Sequence, residues 1–168
     1  IDHGLEMPDV RRQAGKDEMG TITIAEPVGI ICGIVPTTNP TSTAIFKALI
    51  SLKTRNAIIF SPHPRAKNST NTAAKLVLDA AIAAGAPKDI IGWIDQPTVE
   101  LSNALMKHND INLILANSGK ALGAYMAGLR TDGRDHVLCG DGAGAERVTP
   151  AGEVNWQTSQ DHSFVGLR

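Results

Sequence analysis

The fold is decided by the stretch Gly29–Leu52, which has the sequence GIICGIVPTTNPTSTAIFKALISL. It opens with an almost unbroken apolar run, Ile30–Val35, that is rich in β-branched residues. Such a run without polar alternation is typical of a strand that is buried on both faces in a parallel sheet. Pro36 ends the run, and the polar loop Thr37–Pro40 leads to the hydroxyl side chains of Thr41–Thr43, which we expect to cap a helix.

The second half of this stretch has helical spacing. Its apolar set is Ile45, Phe46, Leu49, Ile50 and Leu52, with Ala44 and Ala48 where a helix must approach a sheet closely. A strand, a polar loop and a helix start in succession mark the edge at which open α/β sheets bind ligands, because strand ends and amide-rich helix starts meet there.

The same alternation of strand and helix continues along the chain. We predict parallel strands over Val28–Val35, Ala57–Phe60, Ile90–Ile94 and Asn112–Ala116, preceded by a half-buried strand at Thr21–Ala25. Further helices are predicted from about Lys67 to Ala84, with Asn68 or Ser69 as its cap and Gly85 closing it, and from about Val99 to Met106. This pattern predicts right-handed βαβ crossovers and an α/β fold with a parallel sheet.

Composition excludes several classes of partner. The net charge of −1, from 16 basic and 17 acidic residues, does not favour nucleic acid or an anionic membrane surface. Apolar runs stay far below the ~18 residues of a spanning helix. Cys32, in a buried strand, and Cys139, in a Gly-rich loop, form no disulfide framework, which favours a reduced cytoplasmic protein. The histidines do not pair with cysteines at metal-ligand spacing, so we predict no metal site.

The pattern of apolar residues and the glycine content divide the chain into three regions. Residues 1–19 show little apolar periodicity and are predicted to be a mobile lead-in, whereas residues 20–126 carry the strand and helix pattern. Residues 127–168 form a Gly-rich tail, which we expect to be poorly ordered or loosely docked from about Thr131 onward, because its apolar residues keep no sustained period.

Two polar residues stand on loops that follow neighbouring strands. Asn39 lies between a buried strand and a helix start, where its amide could donate into a cleft; the alternative is that it only forms a turn. His63 lies on the next such loop, in the same expected crevice; the alternative is an ordinary surface histidine.

These residues also carry a family resemblance. The segments EPVGIICGIVPTTNPTSTAIFKALISLKTRNAIIFSPHPRA, AAGAPKDIIGWIDQP and INLILA closely resemble the CoA-acylating aldehyde dehydrogenase half of bacterial bifunctional aldehyde-alcohol dehydrogenases. The resemblance extends over roughly Gly20 to Ala116. It implies the aldehyde dehydrogenase cofactor domain, a Rossmann-like sheet, in agreement with the pattern of strands and helices.

The resemblance implies a reaction and roles for individual residues. In the family a cysteine thiolate attacks acetaldehyde, hydride passes to NAD, and the acyl group is released to coenzyme A by an enzyme that is oligomeric. Asn39 would stabilise the oxyanion. The residues implied in cofactor binding are Pro36, Thr37, Thr38, Ser61, Pro62, His63 and Gly119; non-acylating relatives carry a lysine in place of Ser61.

The sequence also departs from the family. A Thr-Gly-Gly-Pro-Gly turn is expected after the fourth strand, but this chain has Asn117–Ala121, in which only Gly119 matches, so we expect weak NAD binding. The motif of the nucleophilic cysteine is not found, and neither cysteine lies in its context. We therefore expect a truncated, frameshifted or fused fragment that is inactive by itself. The alternative is a non-catalytic nucleotide-binding or interaction module derived from the same fold.

Overall fold

The computed structural model describes residues 14–16, 22–24, 27–117, 125–126, 137–140, 145–148 and 154–157, with side chains described over 27–117 and at 125–126. The elements in chain order are strands β1 (Ala14–Lys16), β2 (Ile22–Ile24) and β3 (Ile30–Val35), helix α1 (Pro40–Lys53), strand β4 (Ala57–Pro62), a 3-10 turn (Pro64–Ala66), helix α2 (Lys67–Ala83), strand β5 (Ile91–Trp93), helix α3 (Val99–Lys107), and strands β6 (Ile111–Ala116), β7 (Val137–Gly140), β8 (Ala145–Val148) and β9 (Val154–Gln157).

The main sheet has the strand order β5-β4-β3-β6-β7-β8-β9. The strands from β5 to β7 are mutually parallel, with Cys32 of β3 opposite Ile59 of β4 and Ile114 of β6. The prediction of an α/β fold with four parallel strands is therefore confirmed, with boundaries that differ by one or two residues. The strand predicted at Thr21–Ala25 is also present, as β2 in a separate antiparallel pair with β1.

The two ends of the chain contain more strand than the sequence predicts. In the lead-in, Ala14–Lys16 forms β1. In the tail, β7 extends the parallel sheet beside β6, and β8 and β9 add to it antiparallel. The prediction that Cys139 lies in a loop is wrong, because it lies within β7, opposite Ala116. These strands have only three or four residues, too few for a period to be recognised, and backbone pairing with a sheet edge supplies the missing driving force.

The parallel strands are covered by helices on both faces. On one face, Ile31 of β3 packs with Ala44 of α1 and Ala73 of α2. On the other face, Cys32 packs in a second cluster with Met106 of α3. Neighbouring residues of β3 thus enter different cores, which confirms the prediction of a strand buried on both sides.

Helix α1 begins differently from the expectation. Asn39 is its N-cap and Pro40 its first residue, so the predicted capping by the hydroxyls of Thr41–Thr43 is wrong. Proline suits the first helical position because its φ is already helical and its missing N–H would have had no partner there. The backbone carbonyl of Asn39 accepts from the Thr43 N–H at 3.1 Å.

The start of α2 also differs from the expectation, whereas its end agrees. The 3-10 turn runs directly into α2, so Ala66 occupies the N-cap position and the predicted caps Asn68 and Ser69 lie inside the helix. At the other end, Gly85 has φ +94° and its N–H donates to Ile82 O at 2.9 Å, which confirms that it closes the helix.

The sheet-facing side of α1 is made of small and polar residues. Ala44 and Ala48 are fully buried, as predicted for a close approach to the sheet. Of the larger apolar residues in the predicted set, Ile50 is buried, whereas Phe46 is 59% exposed and Leu49 is 54% exposed. The spacing therefore identified Ala44 and Ala48 on the buried side, but it did not identify Lys47, which is also buried there.

Candidate cofactor cleft and oxyanion site

Strands β3 and β6 form the switch point of the sheet. From β3 the chain runs outward through β4 to β5, and it then returns through α3 to β6, on the other side of β3. Ligands of open α/β sheets bind at the carboxyl ends of the two strands where the order reverses. The loop at residues 36–39, after β3, lies at this position.

Asn39 is held in a defined orientation at the start of α1. Its side-chain Oδ1 accepts hydrogen bonds from Thr38 Oγ1 at 3.1 Å and from Thr43 Oγ1 at 3.2 Å. The side chain makes no capping bond to a backbone N–H. In the described part of the chain, no acceptor takes the hydrogens of Nδ2. The oxygen side of this exposed amide is therefore fixed by two hydroxyls, and its nitrogen side is left to donate.

Lys47 of helix α1 links the two switch-point strands, β3 and β6, by hydrogen bonds. The side chain is only 2% exposed, and Nζ donates to Ile34 O at 2.6 Å and to Leu115 O at 2.8 Å. Ile34 and Leu115 are the last residues but one of β3 and β6. A buried lysine is stable only when its donors are satisfied, and two backbone carbonyls at these distances satisfy much of that need.

The loop after β4 forms a compact turn around His63. The His63 N–H donates to Val35 O at 3.1 Å, which joins this loop to the end of β3. The imidazole Nδ1 accepts from the Arg65 N–H at 3.1 Å, so His63 caps the 3-10 turn. Because Nδ1 is an acceptor, the ring proton of the neutral imidazole lies on Nε2, which is left to donate outward.

A cleft of about 580 Å³ lies between these two loops. It is lined by Thr37, Pro40, His63, Arg65, Ala66 and Ser69. The lining therefore combines two hydroxyls, an imidazole and a guanidinium with no carboxylate. This size is within the range of small-molecule and cofactor sites.

Four other residues implied by the resemblance are described by the structure and do not line the cleft. Ser61 is 3% exposed, and its hydroxyl is 2.8 Å from that of Ser102 on α3, on the opposite face of the sheet from the cleft. Pro62 is buried at the end of β4, opposite Val35. Pro36 and Thr38 lie on the loop between β3 and Asn39. Gly119 lies outside the described residues.

A comparison with known protein families matches residues 4–138 to the aldehyde dehydrogenase family. The chain belongs to the aldehyde dehydrogenase family. Within it, the chain is 79% identical over 114 residues to the bifunctional aldehyde-alcohol dehydrogenase AdhE of Escherichia coli strain K12. That match includes 67% of this chain but only 13% of the relative. The predicted resemblance to the acylating half of these enzymes is thereby confirmed.

Solved aldehyde dehydrogenases share the fold. An acetylating aldehyde dehydrogenase from Geobacillus thermoglucosidasius has a TM-score of 0.66 at 44% identity, over 77% of this chain and 30% of that one. A propionaldehyde dehydrogenase from Rhodopseudomonas palustris, solved with propionyl-CoA, has a TM-score of 0.66 at 29% identity, over 82% and 30% of the two chains. An engineered glycolyl-CoA reductase solved with NADP+ gives the same score and identity, over 82% and 31%.

Three residues were not identified as site residues from the sequence: Lys47, which contacts the switch-point strands, and Arg65 and Ser69, which line the cleft. Lys47 shares a helical spacing with the buried residues Ala44, Ala48 and Ser51, and that spacing is the signal that could have placed it against the sheet. Arg65 and Ser69 were recognised only as part of a motif and as a possible cap. Their role in lining the cleft depends on the 3-10 turn, which no periodicity indicates.

Metal sites and membrane spans were searched for in the same described residues. No group of three or more His, Cys, Asp or Glu side chains there is arranged to hold a metal ion. Nor does that part of the chain contain a helix long and apolar enough to cross a membrane.

Proposed function

We propose that the chain is part of an NAD-dependent, CoA-acylating acetaldehyde dehydrogenase, which converts acetaldehyde, CoA and NAD into acetyl-CoA and NADH. The observation that carries this proposal is the fixed amide of Asn39 at the carboxyl end of β3, with Nδ2 directed away from its two hydroxyl partners. The similarity to bifunctional and acetylating aldehyde dehydrogenases supports the reaction class.

In this reaction a cysteine thiolate adds to the aldehyde carbon, and negative charge develops on the former carbonyl oxygen. Asn39 Nδ2 donates a hydrogen bond to that oxygen. An amide that is already oriented needs no reorganisation when the charge develops, and losing one such donor costs about 3 kcal/mol of transition-state stabilisation. Two hydroxyl groups on Oδ1 provide that orientation here.

The donor-rich cleft fits a nucleotide, because the groups that line it complement phosphate and ribose oxygens. Thr37 and His63 would hold the cofactor, with Pro36, Thr38, Ser61, Pro62 and Gly119 as the further cofactor residues implied by the resemblance. When bound, NAD accepts the hydride that leaves the aldehyde carbon. The sequence after β6 lacks the glycine-rich turn of the family, so we expect a dissociation constant for NAD well above the low micromolar range.

The isolated chain is proposed to be inactive, because covalent catalysis requires a thiolate beside the oxyanion donor and the motif that would supply one is not found. We expect no NADH from acetaldehyde, CoA and NAD with this chain alone. Robust NADH production that disappears in Cys139→Ser would contradict this expectation. A cytoplasmic location and an oligomeric parent enzyme remain part of the proposal.

The role of Asn39 can be tested in a chimera. Residues 20–116 of this chain would replace the matching segment of the E. coli bifunctional enzyme, and CoA-dependent acetaldehyde oxidation would be measured. We expect an active chimera in which Asn39→Ala lowers kcat about 100-fold while the dissociation constant for NAD stays unchanged. The control is Asn68→Ala, which removes an exposed amide on α2 and should leave kcat unchanged. A folded chimera in which Asn39→Ala keeps its kcat would refute the proposed role.

A further inference from the structure

We propose that Thr43 is a positioning residue for the oxyanion donor. Its buried hydroxyl binds the oxygen end of the Asn39 amide, and this bond leaves the nitrogen end to donate to the substrate. This role of Thr43 rests on the proposed function, because the orientation of the amide affects the reaction only if Asn39 Nδ2 donates to the oxyanion. It goes further in assigning a task to a residue of α1 that does not itself touch the reacting atoms.

The orientation of the Asn39 amide is set by its neighbours. The oxygen and nitrogen ends of an asparagine amide have nearly the same size, so shape alone does not decide which end points in a given direction. The oxygen accepts hydrogen bonds and the nitrogen donates them. An inverted amide would present its oxygen to the developing oxyanion and would repel that charge, whereas a donor stabilises it. The groups that bind the amide therefore decide whether Asn39 supports or opposes the reaction.

Thr43 bonds differently from other buried hydroxyl residues of the helices. Ser51 and Thr70 each donate to the carbonyl four residues earlier, at 2.7 Å and 2.9 Å, which is the usual bond of a helical hydroxyl. For Thr43 that carbonyl is Asn39 O, which already accepts from the Thr43 N–H at 3.1 Å and from Ser42 Oγ at 3.3 Å. Both lone pairs of this carbonyl are thus in use. The Thr43 hydroxyl donates instead to Asn39 Oδ1 at 3.2 Å.

Burial makes this bond decisive for the orientation of the amide. Thr43 is 5% exposed, so water has little access to its hydroxyl. If the Asn39 amide were inverted, Nδ2 would donate to the Thr43 oxygen, and the structure gives the hydroxyl proton no other acceptor among the described residues. A buried donor without a partner is costly, so the observed orientation is favoured. Thr38 Oγ1 also donates to Oδ1, at 3.1 Å, but Thr38 is exposed and its hydroxyl can bind water instead.

NMR of the full chain tests the orientation directly, because the Nδ2 protons of Asn39 report which end of the amide lies beside residue 43. With the oxygen end toward Thr43, we expect only a weak NOE between these protons and the β proton of residue 43. Thr43→Val should strengthen this NOE, since the inverted amide then leaves no buried hydroxyl without an acceptor. Thr43→Ser keeps the hydroxyl and should keep the NOE weak. Equal NOE intensities in all three proteins would overturn the role of Thr43.

The effect on catalysis is measured in the chimera with the E. coli bifunctional enzyme. Thr43→Val should lower kcat about fivefold, the factor that one hydrogen bond within a protein is typically worth, and should leave the dissociation constant for NAD unchanged. Thr43→Ser should retain most of kcat. The control is Thr70→Val, the same substitution at a buried hydroxyl of α2, which should leave kcat unchanged. Thr43→Ala removes the hydroxyl without adding a methyl group and serves the same comparison if the valine variant does not fold.

A double substitution separates positioning of the amide from general structural support. If Thr43 acts through the amide, Thr43→Val should have no further effect on kcat once Asn39→Ala is present. Two results would overturn the role of Thr43 while leaving the proposed function intact: a folded Thr43→Val chimera that keeps its kcat, or an equal loss of kcat with and without Asn39→Ala. A chimera in which Asn39→Ala itself keeps its kcat would overturn both.

Discussion

Lys47 provides a sharp test of how the switch point is held together. It occupies the buried side of α1, is 2% exposed, and donates from Nζ to the carbonyls of Ile34 and Leu115. The change to methionine keeps nearly the same length and volume but removes the donor. The two carbonyls then lose a partner in a region from which water is largely excluded.

The expected destabilisation follows from two opposing contributions. A buried acceptor that loses its partner costs about 1–3 kcal/mol, and here there are two of them. Methionine offsets part of this loss, because it packs as an apolar side chain and removes the cost of burying an ammonium group. This contribution stabilises the variant by about 1–2 kcal/mol. Lost hydrogen bonds outweigh that gain, and we expect Lys47→Met to lower the free energy of unfolding by about 3 kcal/mol.

Thermal and urea unfolding of the full chain, followed by circular dichroism, would measure this change. For a chain of this size, 3 kcal/mol corresponds to a decrease in Tm of about 6–12 °C. The control is Lys75→Met on α2, where the lysine is 62% exposed and pairs with Asp79 at 2.7 Å; such surface pairs contribute at most about 1 kcal/mol. If Lys47→Met were no less stable than Lys75→Met, the two carbonyls would not depend on the lysine, and the reasoning would be refuted.

Three further predictions concern stability in other parts of the fold. Phe60→Ala should cost about 3–5 kcal/mol in urea unfolding, because Phe60 is fully buried, whereas Phe46→Ser should change stability by less than about 0.5 kcal/mol, because Phe46 is 59% exposed; the reverse order would show that the wrong phenylalanine has been assigned to the core. Gly29→Ala should cost about 2 kcal/mol or more, since Gly29 has φ +116° and its new Cβ would collide with Asn112 Oδ1; an unchanged urea midpoint would contradict this. The pKa of Glu100 is lowered by hydrogen bonds from its own backbone N–H and from the Thr98 hydroxyl, so its stabilising contribution should be present near neutral pH and lost as pH falls below 4.5. Glu100→Gln should therefore lose less stability than the wild type over that pH range, and identical profiles would count against the assignment.

The parallel sheet could be predicted from sequence because each of its strands carries its own signal. Ile30–Val35 and Ile111–Ala116 are apolar almost throughout, and a strand covered on both faces requires that composition whatever its neighbours are. The helices between them are long enough to show their period. The apolar runs and the helical periods are local, so they can be recognised even though the glycine-rich turn of the family is missing at Asn117–Ala121.

The strands of the tail could not be predicted because their stabilisation is not local. Val137–Gly140 and Val154–Gln157 have four residues each, and they gain their hydrogen bonds from pairing with neighbours that are distant or equally short. The burial of Lys47 on α1 was not predicted for a related reason. Lys47 would be solvent-exposed on most helices, and its hydrogen bonds to carbonyl groups of β3 and β6, which are distant in sequence, help to make its buried position favourable.

The candidate site combines groups from separate elements, and hydrogen bonds at the strand ends hold these groups in fixed relative positions. Asn39 is the N-cap of helix α1 and Lys47 lies about two turns later, so the bonds from Lys47 to Ile34 and Leu115 also fix the helix that presents the amide. On the other side of β3, the bond from the His63 N–H to Val35 O fixes the turn that carries Arg65. The amide of Asn39 and the cleft therefore depend on adjacent carbonyls of one strand, and a shift at the end of β3 would displace both together. This dependence separates two kinds of substitution: a change at Lys47 should disturb the amide as well as stability, whereas a change of the Arg65 side chain, which makes none of these bonds, should leave both unchanged.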